Sequence, residues 1–262
     1  MKMSVKIWIA LALVLIGIGS VIFCGAFAVS GFNMRKLSRE VSGYEERTFQ
    51  AVGSFSRVQI DDVDANVQIL PSTDGKCTVH YDETDRSSYR FGVSDDALTI
   101  THDRSWLDSF GIIMSAPKLT VYLPEAAYEK LDVHVVSGSI RVEGFEFGAA
   151  KLETTSGSIH LANVDVESLA SRTVSGGIRL EDVDAESLAL RTTSGGIRLE
   201  SVDAESLALQ TVSGSIRAEL LSGKEYDVSS VSGRISVPDS ESGAGLCQAS
   251  TTSGSITISV TK

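Results

Sequence analysis

From Val135 to the C-terminus the hydrophobic and polar positions recur with a fixed period. Aligned on a repeated Ser-Gly doublet, the third position after each serine is Ile140, Ile159, Ile178, Ile197, Ile216, Ile235 and Ile256. Two places further stand Val142, Leu161, Leu180, Leu199, Ala218, Val237 and Ile258. Between these columns lie Arg141, His160, Arg179, Arg198, Arg217, Ser236 and Thr257. Apolar, polar, apolar is the period-2 signature of a half-buried strand. The doublets are Ser137-Gly138, Ser156-Gly157, Ser175-Gly176, Ser194-Gly195, Ser213-Gly214, Ser232-Gly233 and Ser253-Gly254. Their spacing is nineteen residues except for the last step, which is twenty-one. A constant period over more than a hundred residues outranks any single motif as a statement about fold.

Each unit contains a second alternating run, such as Leu188 and Leu190 between Ala189 and Arg191. The spacing predicts a connection at Asp184–Glu186 and a corner at the Ser-Gly doublet, where glycine tolerates positive φ. Two short strands cannot bury an apolar face alone. If residues nineteen apart lie above one another, each unit covers its neighbour and the core becomes columns of Ile, Leu and Val. A Thr column joins them at Thr154, Thr173, Thr192 and Thr211. The predicted fold is all-β: a parallel β-solenoid (β-helix) with 19-residue coils and two main faces. An antiparallel meander fits less well, because hairpin loops do not require identical side chains at every repeat.

The N-terminal region follows a different pattern. Residues 1–6 are short and basic, and residues 7–29 form an uncharged apolar run long enough to cross a membrane as one transmembrane helix. The expected role is an uncleaved signal anchor with the C-terminal part extracytoplasmic. A cleaved signal peptide ending near Ala26-Phe27-Ala28 is the alternative. Residues 30–43 read as a linker. Residues 44–134 alternate without the nineteen-residue register and are expected to form irregular β coils or a cap. Residues 135–262 are the regular repeats. In the final unit a two-residue insertion around Gly243-Ala244-Gly245 predicts a loop, and the last strand, Ser255–Val260, is expected near an open sheet edge.

Charge narrows the partners. Residues 40–262 carry 18 basic and 34 acidic side chains, a net charge of −16. Such a field repels polyanions and argues against nucleic acid. Arg179, Arg198 and Arg217 are expected to stack beside Glu181, Glu200 and Glu219 as a solvated charge ladder, with a binding groove as the alternative. Asp165, Asp184 and Asp203, with Glu167, Glu186 and Glu205, form a second ladder. It is expected to be a solvated acidic edge, and Ca²⁺ is the cofactor its oxygen ligands would take. Trp106, Phe110 and Ile113 sit in an apolar interruption, Ser105–Ala116, expected as a lid on the core or as an exposed partner patch. No paired histidines, C-x-x-C, G-x-S-x-G or phosphate-binding loop occurs, and no catalytic, cofactor or metal residues are assigned. Cys77 and Cys247 are expected to be unpaired, because a stack separates its first coils from its last.

The repeated T-x-S-G-[SG]-I strands, as in Thr173-Val174-Ser175-Gly176-Gly177-Ile178 and Thr211-Val212-Ser213-Gly214-Ser215-Ile216, follow an N-terminal membrane segment. This combination resembles the bacterial "putative adhesin" β-strand-repeat family of unassigned function, which includes LiaG-like membrane-anchored envelope proteins. The resemblance covers residues 45–262 and implies cell-surface placement and interaction rather than chemistry. The expected function is therefore a non-enzymatic, single-pass surface protein binding an envelope protein or wall glycan. The alternatives are a polysaccharide-acting β-helix enzyme and a self-assembling structural β-helix.

Overall fold

The computed structural model describes residues 45–83, 87–104 and 116–261. The predicted membrane segment, the linker and the residues Trp106, Phe110 and Ile113 lie outside the described residues. Among the described residues no helix is long and apolar enough to cross a membrane.

Four long strands form the centre: β9 (Ile140–Thr154), β10 (Ile159–Thr173), β11 (Ile178–Arg191) and β12 (Ile197–Thr211). They are parallel, and the repeat sets their register residue for residue. Ile140 pairs with Ile159, Ile159 with Ile178 and Ile178 with Ile197. Ile197 then pairs with Ile216 of β13 (Ile216–Leu220). Like stacks on like, and the meander is excluded.

Each coil has three inward runs rather than the two expected faces. In β11 and the turn after it these are Ile178 and Leu180, then Val183 and Ala185, then Leu188, Leu190 and Thr192, all buried. Two outward pairs, Glu181-Asp182 and Glu186-Ser187, separate the runs. A strand with two consecutive outward residues has slipped its pleat by one, so the chain turns a corner there. The first corner places Asp182, Asn163 and Ser201 at φ of 51°, 53° and 54°, and Gly144 at 78°. Asn and Asp enter the left-handed region more readily than most side chains, which suits the residues found there. The expected turn at Asp184–Glu186 is instead part of a continuous strand, with Asp184 and Glu186 outward on either side of buried Ala185.

The doublet glycines serve close approach, not positive φ. A Cβ on Gly176 would lie 1.9 Å from the Gly157 carbonyl oxygen, and one on Gly195 would lie 1.9 Å from that of Gly176. The preceding threonine explains the rest of the motif. Thr173 Oγ1 donates to the Gly157 carbonyl at 2.9 Å and Thr192 Oγ1 to that of Gly176 at 2.8 Å. A buried hydroxyl is thereby satisfied, and neighbouring coils are tied at their tightest point.

Both ends interleave. At the C-terminal end, β16 (Leu246–Ser253) and β17 (Ile256–Val260) do not follow β14 (Glu225–Ser232) and β15 (Ile235–Ser236) in the stack. β16 lies between β12 and β14, and β17 lies between β13 and β15. The column therefore runs Ile197, Ile216, Ile256, Ile235. This corrects the expectation that the last repeat occupies the open edge; the penultimate repeat does. The loop at residues 237–245, with Gly243 at φ 83°, carries the chain back past the coil it has just made.

At the other end, β2 (Arg57–Asp62) lies between β6 (Ala97–Arg104) and β8 (Ala127–Val135), and β3 (Asn66–Pro71) between β7 (Lys118–Leu123) and β9. Antiparallel strands cover this end: β4 (Thr78–Glu83) pairs with β7, β1 (Glu45–Gln50) with β4, and β5 (Ser87–Ser94) with β6. Phe49 stacks on Phe91 at 4.4 Å, and Tyr81 packs on both Phe91 and Tyr89. The irregular segment is thus a set of interleaved coils with an aromatic cap.

Candidate functional site

Outward residues of the middle run form a concave groove of about 980 Å³ along the stack. Because the register is exact to the residue, Glu146, Asp165, Asp184 and Asp203 form one row. Glu129, Glu167, Glu186 and Glu205 also line the groove, so eight carboxylates face a single ammonium, Lys224. Rows repeat at roughly the 4.8 Å strand spacing. The floor is apolar but closed, since Tyr128, Phe147, Val166 and Ala204 are buried. No exposed aromatic face is therefore available in the groove for a sugar ring.

Lys224 ends the groove. Its stem is buried, and Nζ donates to Asp203 Oδ1 at 2.9 Å and also to the Ser222 hydroxyl. Partial burial works to raise the Asp203 pKa, but hydrogen bonds from Ser222 and Lys224 hold it below the ordinary carboxylate value. A buried lysine so placed holds one end of the acidic row by charge pairing.

The arginine column lies on another run. Arg179 Nη2 meets Glu200 Oε2 at 3.0 Å, Arg179 also pairs with Glu181, and Arg198 pairs with Glu200. His160 Nε2 lies 3.4 Å from Glu181, and Arg141 Nη2 lies 2.9 Å from Glu143. Desolvation works to raise the Glu181 pKa, and Arg179 with His160 holds it down. This is the ladder of alternating charge expected, and exposed pairs of this kind stabilise by less than about 1 kcal/mol each. Arg217 lines the same shallow face, of about 780 Å³, with Arg179 and Arg198. The structure does not bring this column together with the acidic groove.

A buried polar cluster escaped the sequence reading. Asp62 Oδ1 accepts the N–H groups of Asp64 and Ala65 at 3.0 and 2.9 Å, and Oδ2 accepts the Tyr89 hydroxyl at 2.7 Å. His102 Nδ1 lies 3.3 Å from Asp62 and 3.6 Å from Asp64. Burial works to raise the Asp62 pKa; His102, Tyr89 and the Ala65 amide outweigh it and hold it low. Among the described residues only Asp62, Asp64 and His102 converge closely enough to be considered as metal ligands, and the acidic ladder does not. With its oxygens already taken by two amides and a phenol, Asp62 acts as the cap of the β2–β3 turn. Its partner His102 is forty residues away in sequence, which hid the cluster. Cys77 and Cys247 are free and buried, and burial pushes both thiols up to about 11.

A search of curated proteins finds no match. Among solved structures, a "putative adhesin" from Bacteroides fragilis is similar at 19% identity with a TM-score of 0.56, covering 83% of this chain and 97% of that one. A "putative adhesin" from Parabacteroides merdae aligns at 12% identity and TM-score 0.42, covering 84% and 96%. A "putative lipid binding protein" from Parabacteroides distasonis aligns at 16% and 0.42, covering 84% and 97%. The first shows a shared fold. The model of the Toastrack DUF4097 family matches residues 55–262, from the loop before β2 to the C-terminus. This chain, with its stacked and interleaved parallel coils, belongs to the Toastrack DUF4097 family.

Proposed function

We propose that the protein is a non-enzymatic, single-pass membrane-anchored component of the bacterial cell surface. Its extracytoplasmic solenoid binds an extended, positively charged envelope partner along the acidic groove. One observation carries the reading: carboxylates from successive coils line a single groove along the stack. Field lines from like charges on low-dielectric walls focus in such a cleft and attract opposite charge. The row repeats at the strand spacing of about 4.8 Å, so an extended cationic segment lying along the groove passes a carboxylate at every coil. The apolar run at residues 7–29 supports anchoring, and the similarity to proteins described as adhesins agrees with a binding role. The closed apolar floor, without exposed aromatic rings, favours binding over polysaccharide cleavage.

The test uses the full chain in detergent with labelled oligolysine and oligoglutamate peptides. Oligolysine binds and weakens with salt, and oligoglutamate does not bind. Changing Asp165→Asn, Asp184→Asn and Glu186→Gln together lowers oligolysine affinity at least tenfold. Equal binding by the neutralised variant would refute the groove. Protease treatment of intact cells tests placement: an ectodomain cut only after lysis would refute the surface assignment.

A further inference from the structure

The core of the solenoid is closed at one end and open at the other. Six residues of the isoleucine column, from Ile140 to Ile256, are at most 1% exposed, but the outermost, Ile235, is 41% exposed. In the neighbouring column Val237 is 37% exposed, where Leu199 and Ala218 are buried. Val231 is exposed at the same end, at an outward corner position that Val136, Val174 and Val212 also expose in other coils. Among the described residues β14 pairs only with β16 and β15 only with β17, so each keeps a free edge. The returning chain covers the beginning of that edge. Glu241 N–H donates to the Lys224 carbonyl at 3.0 Å, and Tyr226 N–H donates to Ser240 Oγ at 3.1 Å. The uncovered part runs from Val228 to Val237.

We infer that this face pairs with the same face of a second copy of the chain, end to end about a two-fold axis that brings Asp227 of one copy near Arg234 of the other. Three observations select that occupant. Ile235 and Val237 are the last members of aliphatic columns that everywhere else stack on their own kind. Among the described residues the opposite end presents no open aliphatic column: antiparallel strands and the Phe49, Tyr81, Tyr89 and Phe91 rings cover it, and the free edges there belong to β1 and β5 of that cover. A head-to-tail contact would set the open column against that aromatic cover, whereas a closed isologous pair sets column against column. Charge agrees with two-fold pairing. Asp227 stands just past the covered start of the edge and Arg234 near its end, both exposed. Antiparallel apposition sets Asp227 of one copy against Arg234 of the other. An open sheet edge bearing apolar side chains is a template for such pairing.

Two valines of almost equal exposure, Val231 at 84% and Val52 at 86%, lie at the open end and near the closed end and serve as paired probes. The full chain carrying Cys24→Ser is given either Val231→Cys or Val52→Cys, then oxidised in cells and in detergent. Val231→Cys forms a covalent species of twice the chain mass, and Val52→Cys does not. Adding Arg234→Glu to Val231→Cys lowers the crosslinked fraction at least tenfold, and further addition of Asp227→Arg restores it. The charge pair is exposed, so circular dichroism stays unchanged and rescue separates pairing from misfolding. A Val231→Cys chain that stays monomeric, joins a chain of different mass, or crosslinks no better than Val52→Cys overturns the inference. Dimer formation indifferent to both charge changes does so as well.

Discussion

Gly195→Ala tests the corner where coils touch. The new methyl would lie 1.9 Å from the Gly176 carbonyl oxygen and 2.5 Å from its carbon. An ordinary carbon–oxygen contact is about 3.3 Å, so the coils must part locally by roughly 1.4 Å. Two hydrogen bonds cross this corner, Thr192 Oγ1 to Gly176 O at 2.8 Å and Ser194 N–H to Val174 O at 2.8 Å. That displacement takes both past the usual limit of about 3.2 Å. Leaving the buried Thr192 hydroxyl unpaired costs about 1–3 kcal/mol, the exposed Ser194–Val174 bond is worth about 0.5–1.5 kcal/mol, and overpacking adds about 1–3 kcal/mol. The expected loss is about 3–7 kcal/mol, a fall of about 6 °C or more in Tm for a domain of this size. The control is one residue away. A Cβ on Gly177 meets only the Gly196 carbonyl, at 3.4 Å, and Ser139, Ser158 and Ser215 occupy the equivalent position. Gly177→Ala therefore stays within about 0.5 kcal/mol of the parent. Thermal and urea unfolding of the full chain in detergent, followed by circular dichroism, reads both. If the two variants are equally stable, the close-packing account of the doublet is wrong.

Three further outcomes follow from the same geometry. Thr192→Val keeps the shape but deletes the donor to the Gly176 carbonyl; urea unfolding should show a loss of about 1–2 kcal/mol. Asp62 is held below its ordinary pKa of 3.8, so its contribution is present above that value and lost as pH falls through the lower folded one. Asp62→Asn should cost about 1.5–3 kcal/mol at pH 7 and flatten the decline in stability below about pH 4, measured by unfolding across pH. Cys77 and Cys247 are buried, with thiols pushed up to about 11, so maleimide at pH 7 should label them only after denaturation. Labelling in the folded chain would contradict their burial.

The nineteen-residue period by itself determined the stacking and the register, because strands cannot bury one face without a neighbour and identical side chains choose the in-register one. Ile178, Ile197 and Ile216 are adjacent for that reason. The corners were present in the sequence as the outward pairs Glu181-Asp182 and Glu186-Ser187, where alternation slips by one; read as connections, they were misplaced. Only the tertiary structure decided the order of the last two coils. Ile235 and Ile256 are interchangeable members of one column, so side-chain pattern cannot rank them, and the path of residues 237–245 does. The Asp62–His102 contact likewise depends on interleaving at the other end, which brings β6 beside β2. The acidic ladder was legible as a row of charges, but its curvature was not. Whether such a row lines a groove or a ridge depends on how the coil bends, a property of the closed backbone rather than of any residue's own preference.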